Sequence, residues 1–559
     1  MPVTITVNGK QIEAPDGALL IDVCAQHGID IPHFCYHPGL GPDGNCRMCQ
    51  VEFITERGGR LGISCKSVVA EGMVVDTQSA AAKRARASVE EMLLLNHPLD
   101  CPICDKAGEC TLQNYYMEHD LQNGRQDFTR FKKEKAKDIG PTLILDQERC
   151  VLCDRCVRFL RDVAGEEQLY IAGRGHEAYI TTFPGQDVTS PYSLNTVDIC
   201  PVGALTSKDF RFDSATWFLK NTNSVCTSCA RGCSMQIQTR NGGMRDAIVE
   251  AEAMPQAPRA PEHNRAPGRI YRMRPRHNPD VNGYWACDEG RTNYQFVNHD
   301  RVTKPSLRKG NEVFVCSSQE AHTAIRTSLG FAAAGTVSAP AAVKSVVLLS
   351  ATCTLEEMFL FQRVAKECLH APVMVARHVP DGVDDHLLRR ADKHPNARGA
   401  ELLGLPIIDL KAGADAASVT GALGNGGVLL AVGFNTHVSP ALDAILAHAG
   451  AVIAVSGCTS ALTERADLTV PGLTFAEKDG IVVNFEGHAQ TLRPALDPKG
   501  ETEWCIADAL LSSLTGGKRY ESVAHVRKAI MDEVPAFAGT DLVKLGLTGA
   551  RVAAPAVAR

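Results

Sequence analysis

The sequence predicts a multidomain protein, α+β in its first half and α/β in its second. Three observations carry this. At 559 residues the chain is too long for a single hydrophobic core. Of its 21 cysteines only Cys316, Cys353, Cys368, Cys458 and Cys505 follow residue 287, which separates a cysteine-rich half from a cysteine-poor one. Beyond residue 300, apolar runs (SVVLLS, GVLLAVGF, AVIAVSG) alternate with helical segments such as LEEMFLFQRVAKECL, the order of a parallel sheet with crossover helices.

Composition narrows the function classes. An apolar fraction of 44% and a charged fraction of 22% are those of a water-soluble globular chain, and a net charge of -6 argues against nucleic acid as a partner. The start, MPVTITVNGKQ, lacks the charged and apolar regions of a signal peptide and reads as a first strand. The apolar runs fall short of the roughly 20 residues that span a bilayer, so a membrane role would come through partners. Without an export signal, so many cysteines read as metal ligands rather than as a disulfide framework.

In chain order, TITVN and QIE flank Asn8-Gly9, a hairpin signal, and a helix of the LLIDVCAQHG type ends at Gly28. Cys24 falls on the apolar side of that helix as a core thiol. Cys35, Cys46, Cys49 and Cys65 follow, with C-x2-C on a glycine-rich loop where the amides of Gly39, Gly41 and Gly44 are expected to face a cluster. The pattern resembles the plant-type [2Fe-2S] ferredoxin, with a first gap of ten residues. A structural zinc site is the competing reading.

Residues 80 to 96 are good helix formers and deliver HPLDCPICDKAGEC, read as H-x3-C-x2-C-x5-C with His97, Cys101, Cys104 and Cys110. Cys150, Cys153 and Cys156 form the C-x2-C-x2-C of a bacterial ferredoxin half. Its usual fourth cysteine falls on Leu160, and the Cys-Pro pair appears later as Cys200-Pro201. Counting back from Cys200 finds Thr196, Ser193 and Ser190, so a second cluster of that ferredoxin is absent and Cys200 completes the first. Cys226, Cys229 and Cys233 form C-x2-C-x3-C in a small β domain, with Cys287 completing the set beyond a Pro/Arg-rich insertion, AEAMPQAPRAPEHNRAPGR. Zinc or an empty site is the alternative there. With Cys65, Cys200 and Cys287 claimed by other sets, His97 is left as the fourth ligand beside Cys101, Cys104 and Cys110. An imidazole in place of a thiolate removes a negative charge and should raise that cluster's potential.

These sets in this order, with LLLNHPLDCPICDKAGEC and VDICPVGALT, resemble the G subunit family of bacterial NADH-quinone oxidoreductase and its mitochondrial 75 kDa counterpart over roughly residues 1 to 300. ADLTVPGLTFAEKDGIVVNFEGHAQTLRPAL is similar to the molybdopterin oxidoreductase family.

The resemblance implies an N-terminal [2Fe-2S] ferredoxin-type β-grasp domain over 1–79, a helical [4Fe-4S] segment with one histidine and three cysteine ligands over 80–140 and a bacterial-ferredoxin-like [4Fe-4S] domain over 141–215. A small [4Fe-4S] domain over 216–300, a truncated molybdopterin-oxidoreductase-like α/β domain over 301–515 and a C-terminal helix and tail over 516–559 complete it.

It also implies one [2Fe-2S] and three [4Fe-4S] clusters, no molybdopterin, and no catalytic residue of the chain's own. Electrons would pass from a flavin- and NADH-binding subunit through the first three clusters, the histidine-ligated one handing them on. The fourth cluster lies off the path. The partners would be other iron–sulfur subunits of a peripheral arm and, indirectly, a proton-pumping membrane arm, with the chain on the cytoplasmic side of the inner membrane. No GxGxxG or P-loop motif offers a nucleotide site in the chain itself. The competing assignments are the iron–sulfur subunit of an NAD-linked formate dehydrogenase or a hydrogenase diaphorase.

Overall fold

The computed structural model describes residues 2–120, 124–240, 268–331, 343–411, 413–435, 439–517 and 519–552. They form two compact units, Met1–Leu219 and Lys220–Arg559. Gly242 and Gly243, most of the Pro/Arg-rich insertion and the last seven residues of the tail lie outside the described residues.

The first unit opens with the hairpin Pro2–Val7 and Lys10–Pro15, turned by Asn8 and Gly9 with φ of 51° and 79°. Two positive φ values suit Asn-Gly and match the twist of the flanking strands. A five-stranded sheet results, in the order Lys10–Pro15, Pro2–Val7, Val74–Asp76, Gln50–Thr55, Gly58–Ile63. Ile5 and Val7 alternate inward to meet Leu20, Ile21, Val23 and Cys24 of helix Leu20–Gln26, which closes at Gly28 with φ 73°.

Helix Ala80–Leu94 starts where the Ser79 side chain accepts the Ala82 N–H, a cap worth about 1 kcal/mol. Its buried Arg86 donates Nε and Nη2 to the Gln50 carbonyl at 3.1 and 2.7 Å, which fixes the helix beside Cys49. The helix stops just before His97-Pro98, because a residue ahead of proline is pushed out of the α region. Farther on, Leu143–Leu145 is the middle strand of a three-stranded sheet with Leu205–Ser207 and Lys137–Asp138.

The second unit joins a three-stranded antiparallel sheet (Leu219–Val225, Ser234–Arg240, Ile270–Pro275) to an eight-stranded one. The larger sheet runs Glu312–Val315, Ser306–Lys309, Leu468–Pro471, Ala451–Ser456, Val428–Val432, Ser345–Ser350, Val373–Arg377, Ile407–Asp409. The first two strands are antiparallel and the rest parallel. Val347 and Leu349 face one apolar core and Val346 and Leu348 the other, so both faces are covered and the strand reads as an unbroken apolar run.

The helix expected after residue 515 is Val523–Glu533. Val526 and Ile530 of helix Val523–Glu533 are buried in the same core as Val347, and Ala550–Arg551 pairs with His488–Leu492. Cys353, Cys368 and Cys458 are buried as expected of core thiols, whereas Cys316 and Cys505 are only half-buried. No helix among the described residues is long and apolar enough to cross a membrane.

Candidate metal centres

In the first set, the loop ahead of strand Gln50–Thr55 carries Cys35, Cys46 and Cys49, and the turn after Gly58–Ile63 carries Cys65. The sulfurs lie within hydrogen-bonding range: Cys35 bonds to Cys46 and to Cys65, and Cys49 bonds to Cys65. Those contacts hold the Cys35 thiol well below its ordinary range and push Cys65 well above it. The N–H groups of Gly44 and Cys46 point at the Cys35 sulfur and that of Met48 at Cys46. The expectation for Gly39 and Gly41 needs correction. Their amides are taken up by His37, at 3.1 Å to Nδ1 and 2.8 Å to the carbonyl.

In the histidine set, His97, Cys101 and Cys110 line one pocket of about 420 Å³. Cys104 stands close enough to Cys101 and Cys110 for their charges to act on one another. Burial, helped by the charge of Arg149, lowers the His97 pKa to about 4. The ring is therefore neutral near pH 7, the state in which its nitrogen can bind a metal. Cys110 begins helix Thr111–Tyr115, the backbone N–H groups of Leu112 and Gln113 favour its thiolate, and burial, the larger effect, pushes its thiol up to about 11.

Asp100 anchors the loop to the next set, 3.0 Å from Arg149 and 2.5 Å from Lys135. Burial works against the Asp100 carboxylate, but hydrogen bonds from Lys135 and Arg149 outweigh it and keep its pKa low.

In the third set, Cys150, Cys153, Cys156 and Cys200 line a single pocket whose remaining wall is mostly apolar: Leu145, Ile180, Val202, Ala204 and Leu205. Burial and the neighbouring cysteines push Cys150 and Cys153 up to about 12. Leu152 and Asp154 hold φ of 51° and 64°. This left-handed backbone costs a non-glycine residue about 1 kcal/mol or more. It turns the chain so that the Leu152 N–H reaches the Cys150 sulfur at 3.4 Å and the Arg155 N–H that of Cys153.

The fourth set, in the second unit, is equally closed. Cys226, Cys229, Cys233 and Cys287 are all buried, and the charges of Cys226, Cys229 and Cys287 all act on Cys233. Cys287 caps helix Asp288–Thr292 with its sulfur, accepting the Gly290 N–H at 3.4 Å. A Cβ on Gly290 would sit 2.9 Å from the Cys226 sulfur, so the close approach needs glycine.

Convergent sulfurs met by backbone N–H groups are the donors an iron–sulfur cluster requires; Cys101 is exposed, and the other cysteines of the sets are half-buried or buried. Among the described residues no three His, Cys, Asp or Glu side chains converge as a site for one metal ion.

Inside the first unit the sets do not follow chain order. Arg155 bridges the first and third, donating to the carbonyls of Tyr36 and, at 2.9 Å, Ile199. The third and histidine sets meet at Gly203, where a Cβ would lie 2.2 Å from the Cys104 sulfur, and where the Thr111 N–H bonds the Pro201 carbonyl at 2.9 Å. The spatial order is first, third, histidine. Residue spacing alone did not point to Gly203, Gly290, Arg155 or the Asp100 clamp; only Gly203, directly after Cys200-Pro201-Val202, sits where a motif could have marked it.

The second unit also holds a cleft of about 410 Å³ beyond the carboxyl ends of the parallel strands, reached by Thr352, Asp381 and Asn435. Its two lysines are paired internally, Lys393 to Glu289 at 2.6 Å and Lys478 to Glu357 at 2.8 Å and Glu503 at 3.1 Å. Both lysines are thus held by carboxylates, Arg389 also lines the cleft, and no cysteine does so among the described residues.

Five family models match the chain in order: "2Fe-2S iron-sulfur cluster binding domain" over residues 1–80, "NADH-ubiquinone oxidoreductase-G iron-sulfur binding region" over 86–125, "NADH-quinone oxidoreductase subunit 3, ferredoxin-like domain" over 140–206, "Molybdopterin oxidoreductase Fe4S4 domain" over 219–299 and "Molybdopterin oxidoreductase" over 427–512. The G subunit of NADH-quinone oxidoreductase from Streptomyces coelicolor is 37% identical over 371 residues, 66% of this chain and 40% of that protein. Its counterpart from Mycobacterium bovis is 35% identical over 416 residues, 73% of this chain and 47% of that protein. The NADH-ubiquinone oxidoreductase 75 kDa subunit of Reclinomonas americana is 37% identical over 328 residues, 58% of this chain and 43% of that protein. A crystal structure of an NAD+-reducing [NiFe]-hydrogenase aligns at 32% identity over 38% of this chain and 90% of that one, with a TM-score of 0.35. The chain thus spans less than half the length of the curated relatives it matches. Over the matched segments it carries the iron–sulfur binding domains of the NADH-quinone oxidoreductase G and 75 kDa subunit family, and is homologous to those proteins.

Proposed function

We propose that this chain is an iron–sulfur electron-transfer subunit of an NADH-quinone oxidoreductase, taking single electrons from a flavin-bearing partner and passing them toward quinone. Proton translocation then belongs to membrane partners, and the chain sits on the cytoplasmic face within a peripheral arm. The observation that carries this is the convergence of the members of each ligand set, with three sets linked through loops of one compact unit.

In this reading the five-stranded sheet and its helix are the β-grasp domain of a [2Fe-2S] cluster held by Cys35, Cys46, Cys49 and Cys65. Three [4Fe-4S] clusters are held by His97, Cys101, Cys104 and Cys110, by Cys150, Cys153, Cys156 and Cys200, and by Cys226, Cys229, Cys233 and Cys287. The clusters supply the one-electron chemistry; the protein spaces them, excludes water and sets their potentials through burial and hydrogen bonds to sulfur. The α/β domain is a support that holds no molybdopterin, which the ion-paired lysines of its cleft favour.

An anaerobic redox titration followed by electron paramagnetic resonance tests this. One [2Fe-2S] and three [4Fe-4S] signals are expected, with Cys200→Ala removing a single [4Fe-4S] signal. Loss of two signals together in that variant, or no [2Fe-2S] signal at all, would refute the assignment of the sets.

A further inference from the structure

Between the first and third cysteine sets lie two buried arginines with no acidic partner. Arg155 and Arg158 come from the four-residue helix Arg155–Arg158 and are 8% and 6% exposed. Every hydrogen bond their guanidinium groups make is to a backbone carbonyl. Arg155 reaches Tyr36 through Nη2 and Ile199 through Nη1, the latter at 2.9 Å. Arg158 reaches Cys35 through Nη2, and Gly41 and Leu40 through Nη1 at 3.2 and 3.5 Å. The Nε of each is buried without a partner. Among the described residues no carboxylate stands within ion-pair distance of either, although the charges of Asp154 and Asp162 act on Arg158 from farther off, and Arg161 just beyond is paired with Asp162 at 2.7 Å.

Burying a guanidinium without an anion costs several kcal/mol per ion, and carbonyl dipoles offset only part of it. Asp154 and Asp162 offset part of it for Arg158, and a further negative charge between the two loops would stabilise both arginines. The carbonyls name its place: those of Cys35 itself, Tyr36 beside it, and Ile199 beside Cys200. Cys35 and Cys153 are also near enough for each to feel the other's charge. A cluster held by four thiolates carries a net negative charge that becomes more negative on reduction. Two such centres on either side would supply the missing anion.

We propose that Arg155 and Arg158 are positioning residues that clasp the Cys35 loop to the Cys150–Cys156 loop and raise the potentials of the two clusters they separate. This rests on the assignment of those sets as iron–sulfur ligands. Two effects share one device. The bonds to both loops fix the gap an electron crosses, and the fixed positive charge stabilises the reduced state of either centre. The histidine set, reached through Gly203 and Asp100, lies outside these contacts and is the internal reference.

The test is redox titration by electron paramagnetic resonance of the full chain, purified anaerobically, as R155Q, R158Q and the lysine variant at each position. Removing one charge is expected to favour the oxidised state of the [2Fe-2S] centre and of the Cys150 centre by about tenfold, about 59 mV for one electron. Iron content and the potential of the His97 centre should be unchanged. Arg→Lys should return the potentials toward the parent values while weakening magnetic coupling between the two centres, since lysine cannot hold two carbonyls in one plane.

Unchanged potentials in iron-replete Gln variants would overturn the proposal. Where a Gln variant loses iron, the Lys variant at that position decides: parent-like potentials with full iron support the charge role, and loss of iron there too reduces the arginine to a folding contact. Absence of the two signals in the parent chain would instead refute the ligand assignment.

Discussion

On the proposed assignment, His97 is the residue on which the site differs most from an ordinary cysteine cluster. Burial holds its ring neutral, with a pKa near 4, and the adjacent Pro98 ends the helix so that the ring turns into the pocket shared with Cys101 and Cys110. His97→Cys should keep the iron and lower that cluster's midpoint potential by adding one negative charge, measured by titration against the parent chain. An unchanged potential would reject the imidazole as a ligand. The sequence offers His97 as the fourth ligand because every other candidate thiol is claimed by another set. What was not legible was the reason the ring stays neutral, since Arg149 comes from a distant part of the chain and the surrounding wall, from Glu91 to Arg130, closes only on folding.

A second residue-scale effect lies in the other unit. Glu503 is fully buried beside Lys478 and Glu357, and burial raises its pKa from 4.5 to about 7. The folded chain therefore holds a proton between those two pH values that the unfolded chain has lost. Stability from this group is complete below pH 4.5 and declines as pH rises through 7. Glu503→Gln should flatten that decline, seen as a smaller drop in thermal midpoint between about pH 5.5 and roughly 8. An identical pH profile would show that Glu503 does not titrate there.

At the scale of elements, loops rather than helices or strands do the joining. The turn after Cys200 presses a glycine against the histidine set, and the clearance is small enough to test. Gly203→Ala would bring a Cβ to 2.2 Å from the Cys104 sulfur, so the chain should lose about four iron atoms from that centre while the other centres keep theirs. Full iron content in this variant would mean the two loops can part.

Period-two alternation and Asn-Gly announced the first hairpin, and the apolar runs announced the buried parallel strands, because those signals are local. The docking of helix Val523–Glu533 into the α/β core escaped the sequence. Its buried Val526 and Ile530 fit any amphipathic helix and do not say which surface they cover. Leu152 escaped too, since nothing in its identity signals a left-handed backbone.

At the scale of the molecule, the chain divides at residue 219 into a unit bearing three ligand sets and a unit bearing the fourth. The cysteines grouped from their spacing lie close together in the structure, Cys200 and Cys287 included although long segments separate them from the rest of their sets. The order of the sets in space was not readable from the sequence, since it depends on which carbonyls Arg155 and Arg158 find and on the Gly203 contact. In the cleft of the α/β unit the lysines are held by carboxylates, Lys478 by the buried Glu357 and Glu503 and Lys393 by the exposed Glu289.

On the proposed assignment, four ligand sets hold four clusters and the cleft holds no metal cofactor. Metal analysis of the anaerobically reconstituted full chain tests this most directly. About 14 iron atoms per chain with no molybdenum or tungsten is the expected result. Iron near roughly 10 atoms would empty one [4Fe-4S] set, and stoichiometric molybdenum would contradict the assignment outright.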